Sequence, residues 1–150
     1  MKTATDFTAE VNIGLAQEER ILERWAKHHE SARGFLKGGE FDDFDFVIFD
    51  KTGIVACYLE VKFRRQPLAM YGDAMFSLRK HVFAIRVRKE RKTPVLAVTE
   101  YSCGALVEVN LADLPSDTKP IRRRDRPGMQ PVMHVFYDKG HMTVLESESR

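Results

Sequence analysis

Apolar and polar positions change period several times along the chain, and each change marks an expected element. From Asp6 to Ile13 the apolar residues Phe7, Ala9, Val11 and Ile13 alternate with polar neighbours, the period-two signature of a half-buried strand. Leu15 to Ala32 switches to helical spacing, with Ile21, Leu22, Trp25, Ala26 and His29 recurring on one face, and Gly34 and Gly38-Gly39 end that region. Phe44 to Lys62 (FDFVIFDKTGIVACYLEVK) reads as two buried strands joined at Asp50-Lys51-Thr52-Gly53. Beyond Phe63-Arg64-Arg65 and a break at Pro67, a short apolar piece runs from Ala74 to Leu78. Arg79 to Lys92 is expected to be a second helix, its basic last turn (Arg88, Lys89, Arg91, Lys92) complementing the helix dipole before Pro94 stops it. Val95 to Thr99 and Ala105 to Val109 read as further buried strands, and residues 110 to 130 as a loop rich in proline and charge. Pro131 to Tyr137 and Met142 to Leu145, joined at Asp138-Lys139-Gly140, are expected to close the chain as a hairpin.

The charged residues that interrupt this apolar pattern carry the candidate chemistry. Side chains alternate faces along a strand, so Glu60 and Lys62 share one face while Val61 turns to the other, leaving its carbonyl near them. If Thr52-Gly53 is a two-residue loop, Lys51 pairs with Ile54 and Asp45 lies directly opposite Glu60, with Cβ atoms about 4.5 to 5.5 Å apart. A three-residue loop shifts the count by one and separates the two acids onto different faces, unless a bulge restores it. Glu18 falls in the middle of the apolar stripe of the first helix, with Glu19 at its edge and Glu23 further out. A carboxylate there needs a metal, a lysine or a capping role. Lys80 shares a face with Phe83, Ala84 and Val87 and should point toward the sheet.

Composition sets the frame for this chemistry. With 150 residues, 43% hydrophobic and 31% charged, the chain fits one ordinary soluble domain with a real core. The net charge of +2 is unevenly spread: residues 1 to 50 carry 6 Lys/Arg against 11 Asp/Glu, and the remainder 18 against 11. That asymmetry points to a polyanion-facing surface on the later two-thirds. Cys57 and Cys103 lack metal-ligand spacing and read as reduced residues of a cytoplasmic protein. No apolar leader and no stretch of about 18 to 20 apolar residues is present, so secretion and membrane insertion are not expected.

An aspartate followed on the next strand by Glu-x-Lys suits metal-dependent phosphodiester cleavage. Carboxylates are hard oxygen ligands for Mg²⁺, which also takes phosphate oxygens, and a lysine can orient or deprotonate the attacking water. In this order, Glu18 on the first helix, Asp45, Glu60-Val61-Lys62, then a strand, a basic helix and a strand, the chain resembles the PD-(D/E)XK nuclease superfamily. It is similar in arrangement to archaeal Holliday-junction resolvases and small phage-type nucleases over roughly residues 14 to 109. The resemblance implies a restriction-endonuclease-like αβββαβ core in an α/β fold, a mixed central sheet flanked by helices, here with an extra N-terminal strand and a C-terminal hairpin. It implies Glu18, Asp45, Glu60 and the Val61 carbonyl as ligands of Mg²⁺ or Mn²⁺, with Lys62 completing the catalytic set of Asp45 and Glu60. Phe44 stands where the family commonly has a proline before the aspartate. DNA is the implied partner, held by Lys80, Arg64, Arg65, Arg122, Arg123 and Arg124. A homodimer is common in related folds, and a phage-encoded copy would act in the host cytoplasm.

Other polar residues read more plainly. His28 and His29 diverge by about 100° on a helix and match no zinc spacing, leaving His28 exposed and His29 half-buried. His134 alternates with Val132 and Phe136 on a strand and reads as a hydrogen-bonded structural histidine. Asp42 and Asp43 solvate the start of a strand, Asp43 also being in register to meet Lys62, and Asp73 has no assigned role. Two function classes therefore stand: a DNA-processing nuclease selective for structure or ends, and a non-catalytic nucleic-acid-binding or assembly protein in which Glu60 and Lys62 form a buried salt bridge. If the loop of Arg122, Arg123 and Arg124 touches phosphates, replacing all three with alanine lowers the slope of log K against log salt by about 0.9 per lost contact on duplex DNA. An unchanged slope in a fluorescence-anisotropy titration returns the loop to solvated surface.

Overall fold

The computed structural model describes residues 9–38, 44–122, 128 and 130–147. Among the described residues two α-helices and nine strands make a mixed α/β fold. Helix α1 (Ala9–Ala26) leads into a short strand β1 (Gly34–Lys37), followed by β2 (Phe46–Phe49) and the long β3 (Val55–Arg64). Next come β4 (Asp73–Ser77), helix α2 (Leu78–Arg91), β5 (Val95–Tyr101) and β6 (Leu106–Asn110). The chain closes with β7 (Asp117–Ile121), β8 (Val132–Asp138) and β9 (Met142–Glu146). The main sheet has the order β1-β2-β3-β5-β6-β9, and β4-β8-β7 form a second, three-stranded sheet. In the main sheet β3 and β5 run parallel, and every other neighbouring pair is antiparallel.

The two faces of the main sheet are buried by different layers. On one, Ile21, Leu22 and Trp25 of α1 pack on Phe46, Ile48, Cys57, Leu59, Val61, Val98 and Leu106, which places the first helix stripe against alternate residues of β2, β3, β5 and β6. On the other, Tyr58, Val95, Ala97 and Val109 meet Ala84 and Val87 of α2 and Ala74, Phe76, Val135 and Tyr137 of the second sheet. Helix α2 ends as its residues dictate: Lys92 takes the left-handed conformation at φ 55° and donates its amide to Arg88, and Pro94 follows. An ion cluster fastens α1 to the far end of the sheet. Arg20 and Arg24 both hold the buried Glu100, Arg24 also reaches Glu146, and His28 meets Glu146 at 2.9 Å. Burial pushes the Glu100 carboxyl up, but the two guanidinium hydrogen bonds outweigh it and hold the group below its ordinary value.

Several expected elements differ. Residues 9 to 13 belong to α1 rather than to a strand, and the remainder of that expected strand, residues 6 to 8, lies outside the described residues. The alternating apolar positions run straight into the helical spacing of Leu15, Leu22 and Trp25, and Val11 satisfies both periods, so the longer helical pattern takes the segment. The helix stops at Ala26, six residues early, and Gly34–Lys37 forms the edge strand β1 instead of a terminating loop. The 110 to 130 stretch contains β7. The C-terminal hairpin does not form: β8 already has β4 on one edge and β7 on the other, so β9 crosses to the main sheet and pairs with β6. The Asp138 side chain holds the intervening turn by accepting from the Gly140 amide at 3.0 Å.

Trp25 fills the α1 side of the core at 1% exposure and donates Nε1–H to Glu108 at 2.8 Å. Trp25→Ala should cost about 3 to 5 kcal/mol, read as a lower urea midpoint with an unchanged m-value. A loss below about 1 kcal/mol would show that α1 is not packed as described.

Candidate functional site

The β2–β3 connection decides where the acids face. Asp50 ties the turn: its Oδ1 accepts from the Thr52 amide, the Thr52 hydroxyl and the Ile54 amide at 2.6 to 3.0 Å. Gly53 takes φ 86°, which a side chain resists. The Asp50 amide donates to the Ile54 carbonyl, so the loop has three residues, Lys51 to Gly53, rather than two. Phe49 pairs with Val55 but Ile48 with Cys57, leaving Ala56 as a bulge. From there Val47 meets Tyr58 and Phe46 meets Leu59, which is the count that brings Asp45 next to Glu60.

Asp45 Oδ2 accepts the Val61 amide at 2.7 Å, fastening the aspartate onto the Glu-Val-Lys triplet. Glu60, 8% exposed, has Lys80 Nζ at 2.8 Å on its Oε2, so the second helix does deliver its lysine inward. Burial first, and the Asp45 charge second, push the Glu60 carboxyl above its ordinary value, with Lys80 opposing them. Lys62 is anchored elsewhere: Nζ donates to the Met75 carbonyl at 3.0 Å and stands over the Phe76 ring at 4.4 Å. The buried Glu60–Lys62 bridge of the non-catalytic reading is therefore replaced by Glu60–Lys80. Burial, with Arg64 adding to it, lowers Lys62 to about 8.

Glu18 stands at the rim, its side chain 34% exposed, hydrogen-bonded to Lys37 Nζ at 2.6 Å; the same ammonium lies 3.6 Å from Asp45. Lys37 thus joins the helix acid to the strand acid. The glycines at 34, 38 and 39 mask its strand, β1, in the sequence; the short apolar run Phe35-Leu36 before Lys37 is the signal that marks it. Arg64 lies over the Tyr71 ring at 5.9 Å, while Arg65 and Arg122 are exposed. Arg123, Arg124, Asp42 and Asp43 lie outside the described residues. His134 Nδ1 donates to the Val132 carbonyl at 2.7 Å, as expected of a structural histidine. His29 Nε2 lies 2.7 Å from Glu108, off hydrogen-bond geometry. Cys57 is buried, its thiol pushed up to about 12 by burial, and Cys103 is half-buried.

Among the described residues no group of three His, Cys, Asp or Glu side chains has metal-holding geometry. Asp45 and Glu60 by themselves are a pair of oxygen donors, the kind of set with which Mg²⁺ uses one or two carboxylates and takes its other ligands from phosphate and water. The upward push of Asp45 on Glu60 is a repulsion that a shared cation would relieve. Glu18 is directed to Lys37 instead. Comparison of the chain with protein-family models, with curated proteins and with solved structures gives no match. Among the described residues no helix is long and apolar enough to cross a membrane.

A lysine lowered on folding burdens the folded state while it is charged in both states, below pH 8, and the burden fades as pH rises from about 8 toward 10.5. Lys62→Met should therefore raise the urea midpoint at pH 7. Its advantage over wild type should shrink as pH rises, by at most about 1.4 kcal/mol per pH unit. A difference independent of pH would remove the buried ammonium from the account.

Proposed function

We propose that the protein is a divalent-metal-dependent nuclease that hydrolyses DNA phosphodiester bonds, on a restriction-endonuclease-like αβββαβ core. The observation that carries this reading is the convergence of Asp45 and Glu60 at the start of β2 and the middle of β3, through a compensating bulge, with Lys62 two residues further along the same face. The order α1, the β1–β3 meander, α2, and β5 parallel to β3 supports the core. Asp45 and Glu60 would hold Mg²⁺ or Mn²⁺, and the ion when bound supplies Lewis-acid and water-activating chemistry. Lys62 Nζ, titrating near 8, can take a proton at mildly alkaline pH and shield developing charge at neutral pH. The Val61 amide fixes the Asp45 carboxylate, and Lys80 orients Glu60 from the opposite layer. The exposed bases of α2, Arg79, Arg86, Arg88 and Lys89, together with Arg65 and Arg122, offer sites for backbone phosphates.

One observation favours a second reading. Lys80 on Glu60, and Lys37 between Glu18 and Asp45, already neutralise the acids, as a non-catalytic nucleic-acid-binding protein on the same fold would require.

The two separate by experiment. A nuclease cuts at least one of a panel of single-stranded, duplex, flap and four-way-junction DNAs with Mg²⁺ or Mn²⁺, its Tm rises with the ion, and Glu60→Ala loses both effects. Lys62→Ala should abolish cleavage and leave DNA affinity within roughly tenfold, since it acts on the reaction more than on binding. Full cleavage by Lys62→Ala sinks the catalytic assignment; absence of any ion effect on Tm, with Glu60→Ala only destabilised, selects the binding protein.

A further inference from the structure

A cavity of about 180 Å³ opens at Lys62, between β3 and β5 of the main sheet and β4 and β8 of the second sheet. Its floor comes from two rungs of the parallel β3–β5 ladder, Lys62 beside Thr99 and Arg64 beside Tyr101. Tyr71, from the turn before β4, and Asp73, the first residue of β4, form the wall. The Tyr71 and Tyr101 rings lie 5.6 Å apart and tilted by 50°, so they do not stack on each other, and the Arg64 guanidinium covers Tyr71. We propose that this cavity is a nucleobase pocket that takes one unstacked base carrying an exocyclic amino group, beside the phosphate-handling residues Asp45, Glu60 and Lys62.

Size restricts the occupant. An apolar cavity of about 150 Å³ is room for one benzene ring, whereas drug-sized ligands need about 300 to 1,000 Å³, so a single planar heterocycle fits here and a large ligand does not. Chemistry restricts it further. The half-buried Tyr71 ring and the Arg64 plane can stack a base face, with the buried Tyr101 backing them, which gives affinity without sequence preference. Asp73 is an acceptor and suits the amino groups of cytosine, adenine or guanine, while thymine sets carbonyl oxygens beside its one N–H. The groups share one space: burial raises the Tyr101 phenol, with Arg64 acting against it and Tyr71 and Asp73 with it. Lys62 and Arg64 put positive charge on the floor, where the phosphate of the same nucleotide would continue toward Glu60. Asp73, which had no role in the sequence, acquires one.

The inference deepens the nucleic-acid reading of the neighbouring site and is tested apart from cleavage. The full chain is titrated by ¹H–¹⁵N NMR with 5′-dCMP, dAMP, dGMP and dTMP, without divalent ion. The amino-bearing nucleotides should bind, with dTMP weaker by about tenfold, the worth of one charge-assisted hydrogen bond. Tyr71→Ala should weaken them roughly tenfold and Tyr71→Phe should keep them, as stacking requires. Asp73→Asn should remove the discrimination against dTMP. Equal affinity for all four in the wild type, no saturable binding at millimolar nucleotide, or wild-type behaviour of both Tyr71→Ala and Asp73→Asn overturns the pocket. Retained discrimination in a protein that cuts no DNA sinks the nuclease reading alone, and cleavage without discrimination sinks the pocket alone.

Discussion

One residue without a cross-strand partner, Ala56, decides which way the acids of the central hairpin face. A three-residue loop by itself advances the β2–β3 count by one, and because strand side chains alternate with period two, every residue beyond it changes face. The bulge at Ala56 reverses that shift. Phe46, Ile48, Cys57, Leu59 and Val61 consequently all reach the α1 layer, and Tyr58 and Glu60 reach the other. Core packing and site geometry thus rest on the same register, and neither survives a one-residue slip.

The two faces then treat buried charge differently. On the α1 side Glu100 is met by two guanidinium groups and held below its ordinary value, an arrangement that anchors the helix. On the other side Glu60 is hydrogen-bonded by Lys80, with Asp45 and Lys62 also acting on it, and burial pushes it upward; Lys62, two residues along the strand, is pushed downward. Glu60 and Lys62 share one strand face and are displaced toward each other, which the ion cluster of Glu100 is not; the proposed function draws on that difference. The proposed base pocket adjoins this face at Lys62: β3 supplies Glu60, Lys62 and Arg64 at alternate positions, so the proposed catalytic and specificity groups lie along one strand.

How far the site was legible depended on range. Asp45, Glu60 and Lys62 stood out as charges within apolar strands, and the inward direction of Lys80 followed from helical spacing, because both signals are local and periodic. Lys37 as partner of Glu18, the Arg20–Arg24–Glu100–Glu146 cluster and the place of Asp73 in the cavity wall were not legible, since each exists only through partners far along the chain. The expected C-terminal hairpin differed for the same reason. Proximity in sequence favoured β8 with β9, but β8 had both edges occupied by β4 and β7.

By itself the sequence determined the elements with strong internal period: the apolar face of α1 around Trp25, the strands of the central hairpin, the basic end of α2 before Pro94, and the alternation that keeps Glu60 and Lys62 together. Those are consequences of backbone geometry, which repeats every 3.6 or 2 residues whatever the rest of the chain does. Tertiary structure decided the division into two sheets, the bulge, the choice of Lys80 over Lys62 as partner of Glu60, and the cavity between the layers. These depend on which strand edges remain open and which charges share a dry space, and such competition is resolved only once the layers have packed.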